Sequence, residues 1–359
     1  MSKQIFQIGG GIARRSQFSI GYAAIICIVV LYVYSTSNPR KIFIAPKPHP
    51  GYVEPTNSTL NFQKIFAISL PSRTDRQDAL TLMSALSGIN IEVVPGIRGE
   101  DVREKTIPKD PKSVMKPGFA GSWRAHLNTI KRVVDEGIST ALIIEDDVDW
   151  DIRVREQMQR VLEAYLKDQK SGSSTLPPDW DLLWLGNIGE RFPADDNRKI
   201  QINDPTVPPR ADLSPGFDAV KELPERSRFL HPTDFPACTY AYAVSYAGAQ
   251  KILYHASLGK VVANFDSDLA NNCWLYMNCL SLTPPLFHFD RSIGLQRDSD
   301  TDAAAEKHNR EPGIFTNVDI SVRTVMKEKF GAKQRENRSW RFPNEFSSYF
   351  IHAMDLPGQ

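Results

Sequence analysis

The sequence predicts an α/β domain with a mostly parallel central sheet, preceded by one N-terminal transmembrane helix. Three observations carry this. Short apolar strands alternate with helical periodicities from about residue 62 onward. One strand, residues 140–144, is continuously apolar, as expected when both faces of a sheet are covered. Residues 16–39 contain no charged residue, although 24% of the 359-residue chain is charged.

That uncharged stretch comes first in the chain. Residues 18–34 are apolar apart from Ser19, just long enough to span a bilayer. Tyr22, Tyr32 and Tyr34 lie towards its ends, where aromatic rings favour the headgroups. Lys3, Arg14 and Arg15 precede it, and no acid occurs before Glu54. A cleaved signal peptide is the alternative, but the run exceeds the usual 7–15 apolar residues and no A-x-A site follows. The expected layout is a cytosolic tail (1–15), a signal-anchor (16–35) and a Pro-rich stem (36–61). A folded domain (62–310) and a C-terminal extension (311–359) follow. Asn57-Ser58-Thr59 and Asn337-Arg338-Ser339 are acceptor sequons.

Residues 64–70 read as a strand. Thr74 with Gln77 reads as a capping box opening a helix to about Leu86. Residues 91–94 form a second strand, and 98–117 a polar loop. Residues 122–134 have helical spacing, stopped by Gly137. After the strand 140–144, residues 153–167 suit a helix and 180–186 a strand. Residues 188–236 hold eight prolines and read as a functional loop or disordered insert. Strand 239–245 and helix 247–254 then resume the alternation.

Lys+Arg is 43 and Asp+Glu 42, so no electrostatic case exists for nucleic acid. Four cysteines exclude a disulfide scaffold. Cys27 falls in the apolar span, leaving at most one intrachain bridge among Cys238, Cys273 and Cys279. A regular helix through Cys273 and Cys279 would hold those two apart.

The chemistry concentrates in Glu145-Asp146-Asp147-Val148-Asp149-Trp150-Asp151, directly after the apolar strand. Ligands of open α/β sheets bind beyond the carboxyl ends of strands. Clustered carboxylates repel unless a divalent cation sits among them, and Mg²⁺ or Mn²⁺ suits such oxygens. The bland alternative is an acidic turn capping the next helix. Asp266 and Asp268 follow a second apolar run, 261–265, and suit either a base or a helix cap.

An ordered series of segments resembles glycosyltransferase family 25, which contains bacterial lipooligosaccharide galactosyltransferases and collagen galactosyltransferases. It comprises Ile65-Phe66-Ala67-Ile68-Ser69-Leu70-Pro71-Ser72-Arg73-Thr74-Asp75-Arg76, Gly118 through His126, Glu145-Asp146-Asp147, Trp180 through Gly186, Tyr242 through Leu253, Asp266 and Ser299-Asp300. Ser122 and Ala125 depart from the family's usual Cys and Ser. The resemblance implies a GT-A-like fold and an inverting transfer from a UDP-sugar, often UDP-galactose, to a glycan or glycoprotein. The chemistry of such a transfer fits a metal held by Glu145, Asp147 and Asp149, with Arg73, Asp75, Arg76 and Asp146 at the nucleotide. Asp266 is the favoured base, with Asp268 beside it. Arg73 and Arg76 are equally readable as surface charges on a first helical turn. His126 reads as a packed helix residue, and His288 as structural or as a further metal ligand. Rival functions are a catalytically inactive sugar-binding or scaffolding protein and a two-metal phosphodiesterase.

Overall fold

A computed structural model describes residues 55–108, 115–168, 179–191, 198–213, 224–258, 264–289 and 318–331. The expected tail and signal-anchor lie outside these residues. No helix among the described residues is long and apolar enough to cross a membrane.

The core is one eight-stranded sheet of order β2-β1-β3-β8-β5-β9-β7-β6. Its strands are β1 (Lys64–Ser69), β2 (Glu92–Pro95), β3 (Thr140–Glu145), β5 (Leu182–Ile188), β6 (Ile200–Asn203), β7 (Ser227–Pro232), β8 (Ala237–Ser245) and β9 (Cys279–Thr283). A small antiparallel pair, β4 (Val148–Trp150) with β10 (Phe287–Phe289), stands apart. The sheet is mixed. β1 is parallel to β2 and β3, and β5 is parallel to β9. β8 runs antiparallel to both β3 and β5. β3 and β5 therefore point the same way. The carboxyl ends of β1, β3 and β5 share one edge with the start of β8.

Alternation along each strand sorts side chains between two apolar layers. Leu142, Ile144, Leu183 and Ala243 join the layer of α1 (Thr74–Ser87) and α3 (Val154–Asp168), through Leu80, Met83, Met158 and Val161. Ile143, Trp184, Tyr242 and Val244 join that of α2 (Pro117–Asp135) and α4 (Tyr246–Leu258), through Trp123, Leu127, Ile130 and Ile252. The helices α5 (Phe265–Leu275) and α6 (Val322–Phe330) complete the set.

Several expectations change. The capping box is not formed: Thr74 lies inside α1, Arg73 occupies the cap, and Gln77 Nε2 donates to the Leu70 carbonyl at 2.9 Å. Residues 56–60 of the expected stem pack into the domain, with Leu60 fully buried and Thr56 N–H donating to Arg155 O at 3.2 Å. The span 188–236 is not one loop, because it supplies β6 and β7. Their anchor is Arg228, buried, whose Nε donates to Asp204 Oδ2 at 2.6 Å. Its Nη1 donates to the carbonyls of Pro284 and Pro285 at 2.7 and 2.8 Å. Cys273 is joined to Cys279, which is feasible because α5 ends at Leu275 before the chain turns into β9. Cys238 is a free thiol.

Two predictions follow from these anchors. Arg228→Met takes the close cation from the buried Asp204 carboxylate, leaving it the Thr206 hydrogen bonds and Arg160 at 4.0 Å, so unfolding free energy should drop by about 3 kcal/mol. A urea titration showing less than ~1 kcal/mol would remove Arg228 as the anchor. Alkylation and peptide mapping without reductant should find the Cys273–Cys279 crosslink and an alkylated Cys238; the reverse assignment would refute it.

Candidate active site

The site stands at the edge where β3 ends. Burial on both faces carries the strand apolar to Ile144, and the chain then turns through Glu145, Asp146 and Asp147 before β4. Asp146 is buried and paired with Arg76 Nη1. The same Arg76 nitrogen stands 3.5 Å from Asp147 Oδ2. Arg76 lies in the first turn of α1, so the loop following β1 delivers the cation to the end of β3. Arg73 precedes it, forked onto the exposed Asp75 at 3.0 and 2.8 Å. That pair holds the Asp75 carboxyl down at about 2.

Glu145 Oε1 accepts from Thr239 Oγ1 at 2.7 Å and lies 3.6 Å from His126 Nε2. His126 is buried, stacked on Phe265 with ring centroids 4.5 Å apart, and its Nδ1 is 3.0 Å from the Tyr242 hydroxyl. It is thus the packed helix residue expected, and it also faces a site carboxylate.

Three carboxylates in succession differ in character. Burial works against the Glu145 charge, but His126, the Thr239 hydroxyl and Arg76 outweigh it and hold its carboxyl below the usual range. Burial raises Asp146 despite Arg76. Burial and the neighbouring Glu145 charge push Asp147 up to about 7. Asp147 Oδ1 is buried with no hydrogen-bond partner among the described residues.

Asp266 and Asp268 both sit in the first turn of α5; the cap residue is Asn264. Asp266 Oδ2 accepts the Cys238 backbone N–H at 3.0 Å, and its Oδ1 that of Ser267 at 2.8 Å. Cys238 has φ +65°, a left-handed conformation that non-glycine residues rarely adopt. Burial pushes its thiol up to about 11, with the Tyr240 hydroxyl acting against that shift and the charges of Asp266, Glu145 and Asp147 acting with it. Cys238 and Thr239 stitch the expected base to the expected metal ligands. Sequence reasoning missed both. Neither residue carries a chemical signal beyond standing at the start of an apolar strand.

Asp149 does not join the group. β4 pairs with β10 and carries it elsewhere: its Oδ2 accepts from Ser321 Oγ at 2.5 Å, and its Oδ1 from Trp150 N–H at 2.8 Å. It anchors the start of α6. Asp151 likewise accepts from Arg153, whose Nη2 also donates to Asp319 at 2.8 Å. His288 opposes Asp149 in the ladder. Its Nε2 lies 2.8 Å from Pro285 O, and burial beside Arg228 pushes it down to about 3, so it stays neutral. Ser299-Asp300 lies outside the described residues.

Among the described residues no three His, Cys, Asp or Glu side chains are gathered as a metal-ligating group. The donor set is nonetheless suited to a hard divalent cation at Asp147. A buried carboxylate oxygen without a donor, beside a second carboxylate held ionised, is the arrangement a cation relieves.

The family model for "Glycosyltransferase family 25 (LPS biosynthesis protein)" matches residues 62–264, more than half of the chain. Procollagen galactosyltransferase 2 of Mus musculus is 23% identical over 215 residues, covering 56% of this chain and 29% of that protein. Inactive glycosyltransferase 25 family member 3 of Homo sapiens is 26% identical over 217 residues, covering 57% of this chain and 31% of that protein. The chain thus spans about a third of the length of these relatives. A solved UDP-glucose pyrophosphorylase from Leishmania major gives a TM-score of 0.23 at 9% identity, covering 61% of this chain and 51% of that one; so low a score carries no argument.

The Asp147 environment sets a pH dependence for the metal-free protein. Asp147 is protonated in the folded state and ionised in the unfolded chain between the model-peptide value of 3.8 and about 7. Its stabilising contribution is full below that window and is lost as pH rises through about 7. In EDTA, Asp147→Asn should raise the melting temperature at pH 7.5 and change it little at pH 4. An equal effect at both pH values would contradict this.

Proposed function

We propose that this chain, which belongs to glycosyltransferase family 25, transfers a hexose from a UDP-sugar to a hydroxyl of a glycan or glycoprotein, with inversion. The observation that carries the reading is Asp147: a buried carboxylate with a partnerless oxygen, beside Glu145, at the carboxyl edge of the sheet. Transfer from a nucleotide sugar needs positive charge where the diphosphate departs and a base where the acceptor attacks. Asp147, with Glu145, would hold Mn²⁺ or Mg²⁺, which when bound supplies Lewis-acid stabilisation of the leaving diphosphate. Arg73, forked onto Asp75, is near enough for its charge to act on Asp146. Arg73 and Arg76 bind and orient phosphate oxygens, a task that suits a forked guanidinium. Asp266 accepts the acceptor proton at a carboxylate oxygen. Cys238 N–H holds that carboxylate in place, and Asp268 supports the acceptor side.

Galactose as the sugar and a collagen-like glycoprotein as the acceptor rest on the relatives' names. We extend the reading to the whole chain: a GT-A-like domain over residues 62–310, held by the 16–35 span in an ER or Golgi membrane with its catalytic body lumenal.

Two observations favour a second reading, that of a sugar-binding protein without transferase activity. A relative named inactive matches at 26% identity, as closely as those named transferases, and no three-ligand metal group is formed among the described residues. UDP release from a panel of UDP-sugars with Mn²⁺ separates the two. The transferase reading predicts release that rises with an acceptor; binding without release supports the rival.

Asp147→Asn should lower transfer by on the order of a hundredfold or more, with little recovery at higher Mn²⁺. Asp266→Asn should abolish transfer and leave metal-dependent UDP binding near wild type. A folded Asp147→Asn protein with unchanged rate and metal dependence would end the assignment. Loss of UDP binding in Asp266→Asn would move that residue to the donor side.

A further inference from the structure

A cavity lies apart from the carboxylates, between α2, the end of α4 and the turn Glu104–Thr106. Its volume is about 390 Å³, and Lys105, Thr106, Trp123, Arg124, Leu253 and Ser257 contribute to its lining. That volume falls towards the small end of ligand sites, about 300–1,000 Å³. None of the acidic-site residues borders it.

Two glycines bring its walls together. A Cβ on Gly121 would stand 2.4 Å from Ile97 O, and one on Gly99 would stand 1.9 Å from Pro117 O. Any side chain at either position would push the segment leading to Lys105 off α2.

The lining has two cations and no acid. Arg124 Nε is buried without a hydrogen-bond partner, and the guanidinium lies 5.4 Å from the centroid of the Trp123 ring. Among the described residues neither Arg124 nor Lys105 has a carboxylate partner. Withdrawal from water without an anion pulls the Arg124 pKa below its usual value. Such a cation is costly unless a counter-charge arrives. The hydroxyls complement this. Thr106 Oγ1 donates to Arg103 O at 2.7 Å and Ser257 Oγ donates to Tyr254 O at 3.1 Å. Their hydrogens are committed, so their lone pairs remain to accept from a ligand. Trp123, Leu127 and Leu253 offer an apolar wall.

We propose that this cavity binds a pyranose-sized ligand carrying a carboxylate or phosphate. The anion meets Arg124 and Lys105, the sugar hydroxyls donate to Thr106 and Ser257, and the apolar ring face lies against the wall. The site is independent of the transfer chemistry at β3. A sugar phosphate and an acidic glycan residue share this chemistry, and the probes distinguish them.

The test is calorimetric titration of the purified full chain, in EDTA and low salt, with glucose 1-phosphate, glucuronate and glucose. One or both anions should bind, and neutral glucose should not. Binding of glucose 1-phosphate alone identifies a phosphate site, and of glucuronate alone a uronate site. Arg124→Gln should weaken binding tenfold or more, and Ala256→Trp, which fills the cavity, should abolish it. Asp147→Asn should leave it unchanged, which separates this site from the acidic one. Lys105→Gln, at an exposed position, should weaken binding several-fold and serves if Arg124→Gln does not fold. Raised salt should weaken binding by the wild-type chain and by Asp147→Asn alike. The proposal is overturned if neither anion binds, if glucose binds equally, if the cavity variants bind as wild type, or if only Asp147→Asn removes binding.

Discussion

Three consecutive carboxylates at the end of a strand buried on both faces are the constraint around which this domain is arranged. The apolar sequence that makes β3 a good core strand also delivers Glu145, Asp146 and Asp147 to a place with little water. Each then needs a partner, and each partner comes from a different element. Arg76 comes from α1, His126 from α2 and Thr239 from β8. The pairings therefore fix how these elements meet at one edge of the sheet. They also leave one oxygen over, Asp147 Oδ1. A fold seeking stability alone would gain by neutralising that atom, because a buried unpaired acceptor costs about 1–3 kcal/mol. That atom lies at the carboxyl edge of the sheet, the side on which open α/β sheets bind ligands.

The reversed strand β8 makes this edge work. Had every strand been parallel, only strand ends and the loops after them would face the carboxylates. Because β8 runs antiparallel between β3 and β5, its beginning enters the edge from outside. Cys238 there takes a positive φ and turns its N–H to Asp266. The first turn of α5 is thereby tied to the strand that also hydrogen-bonds Glu145. Asp266 and Glu145 are thus coupled through one backbone segment, Cys238 and Thr239.

The layers of the domain were legible in the sequence because they rest on local rules. The continuous apolar run at 140–144, the helical spacing after Ser122 and the Gly137 stop each reappear within a few residues. Strand direction was not legible: the apolar run 239–245 carries no mark of running antiparallel. Nor were β6 and β7. Their residues are proline-rich, and what holds them is a long-range contact, Arg228 with Asp204 and with the Pro284 and Pro285 carbonyls. At the site, charged residues were found because clustered charge is conspicuous. Thr239, Cys238 and Tyr242 went unseen because a hydroxyl, a thiol or a backbone N–H in an apolar strand gives no such signal.

The run of five carboxylates reads as one feature in the sequence but divides into two in the fold, and the reason is β4. Val148 and Trp150 are fully buried, so the chain after Asp147 must plunge back into the core. It does so as a short strand paired with β10, in which Asp149 is itself buried opposite His288. There Asp149 and Asp151 meet Ser321, Arg153 and the backbone around α6. The first three acids gather Arg76, His126 and Thr239 and leave Asp147 Oδ1 without a donor among the described residues. The last two are consumed in fastening the segment before α6 to the domain. A metal-ligand count taken from spacing alone credits Asp149 to the site because it assumes a regular strand. Two buried apolar residues inside the acidic run were the warning that the geometry would break there.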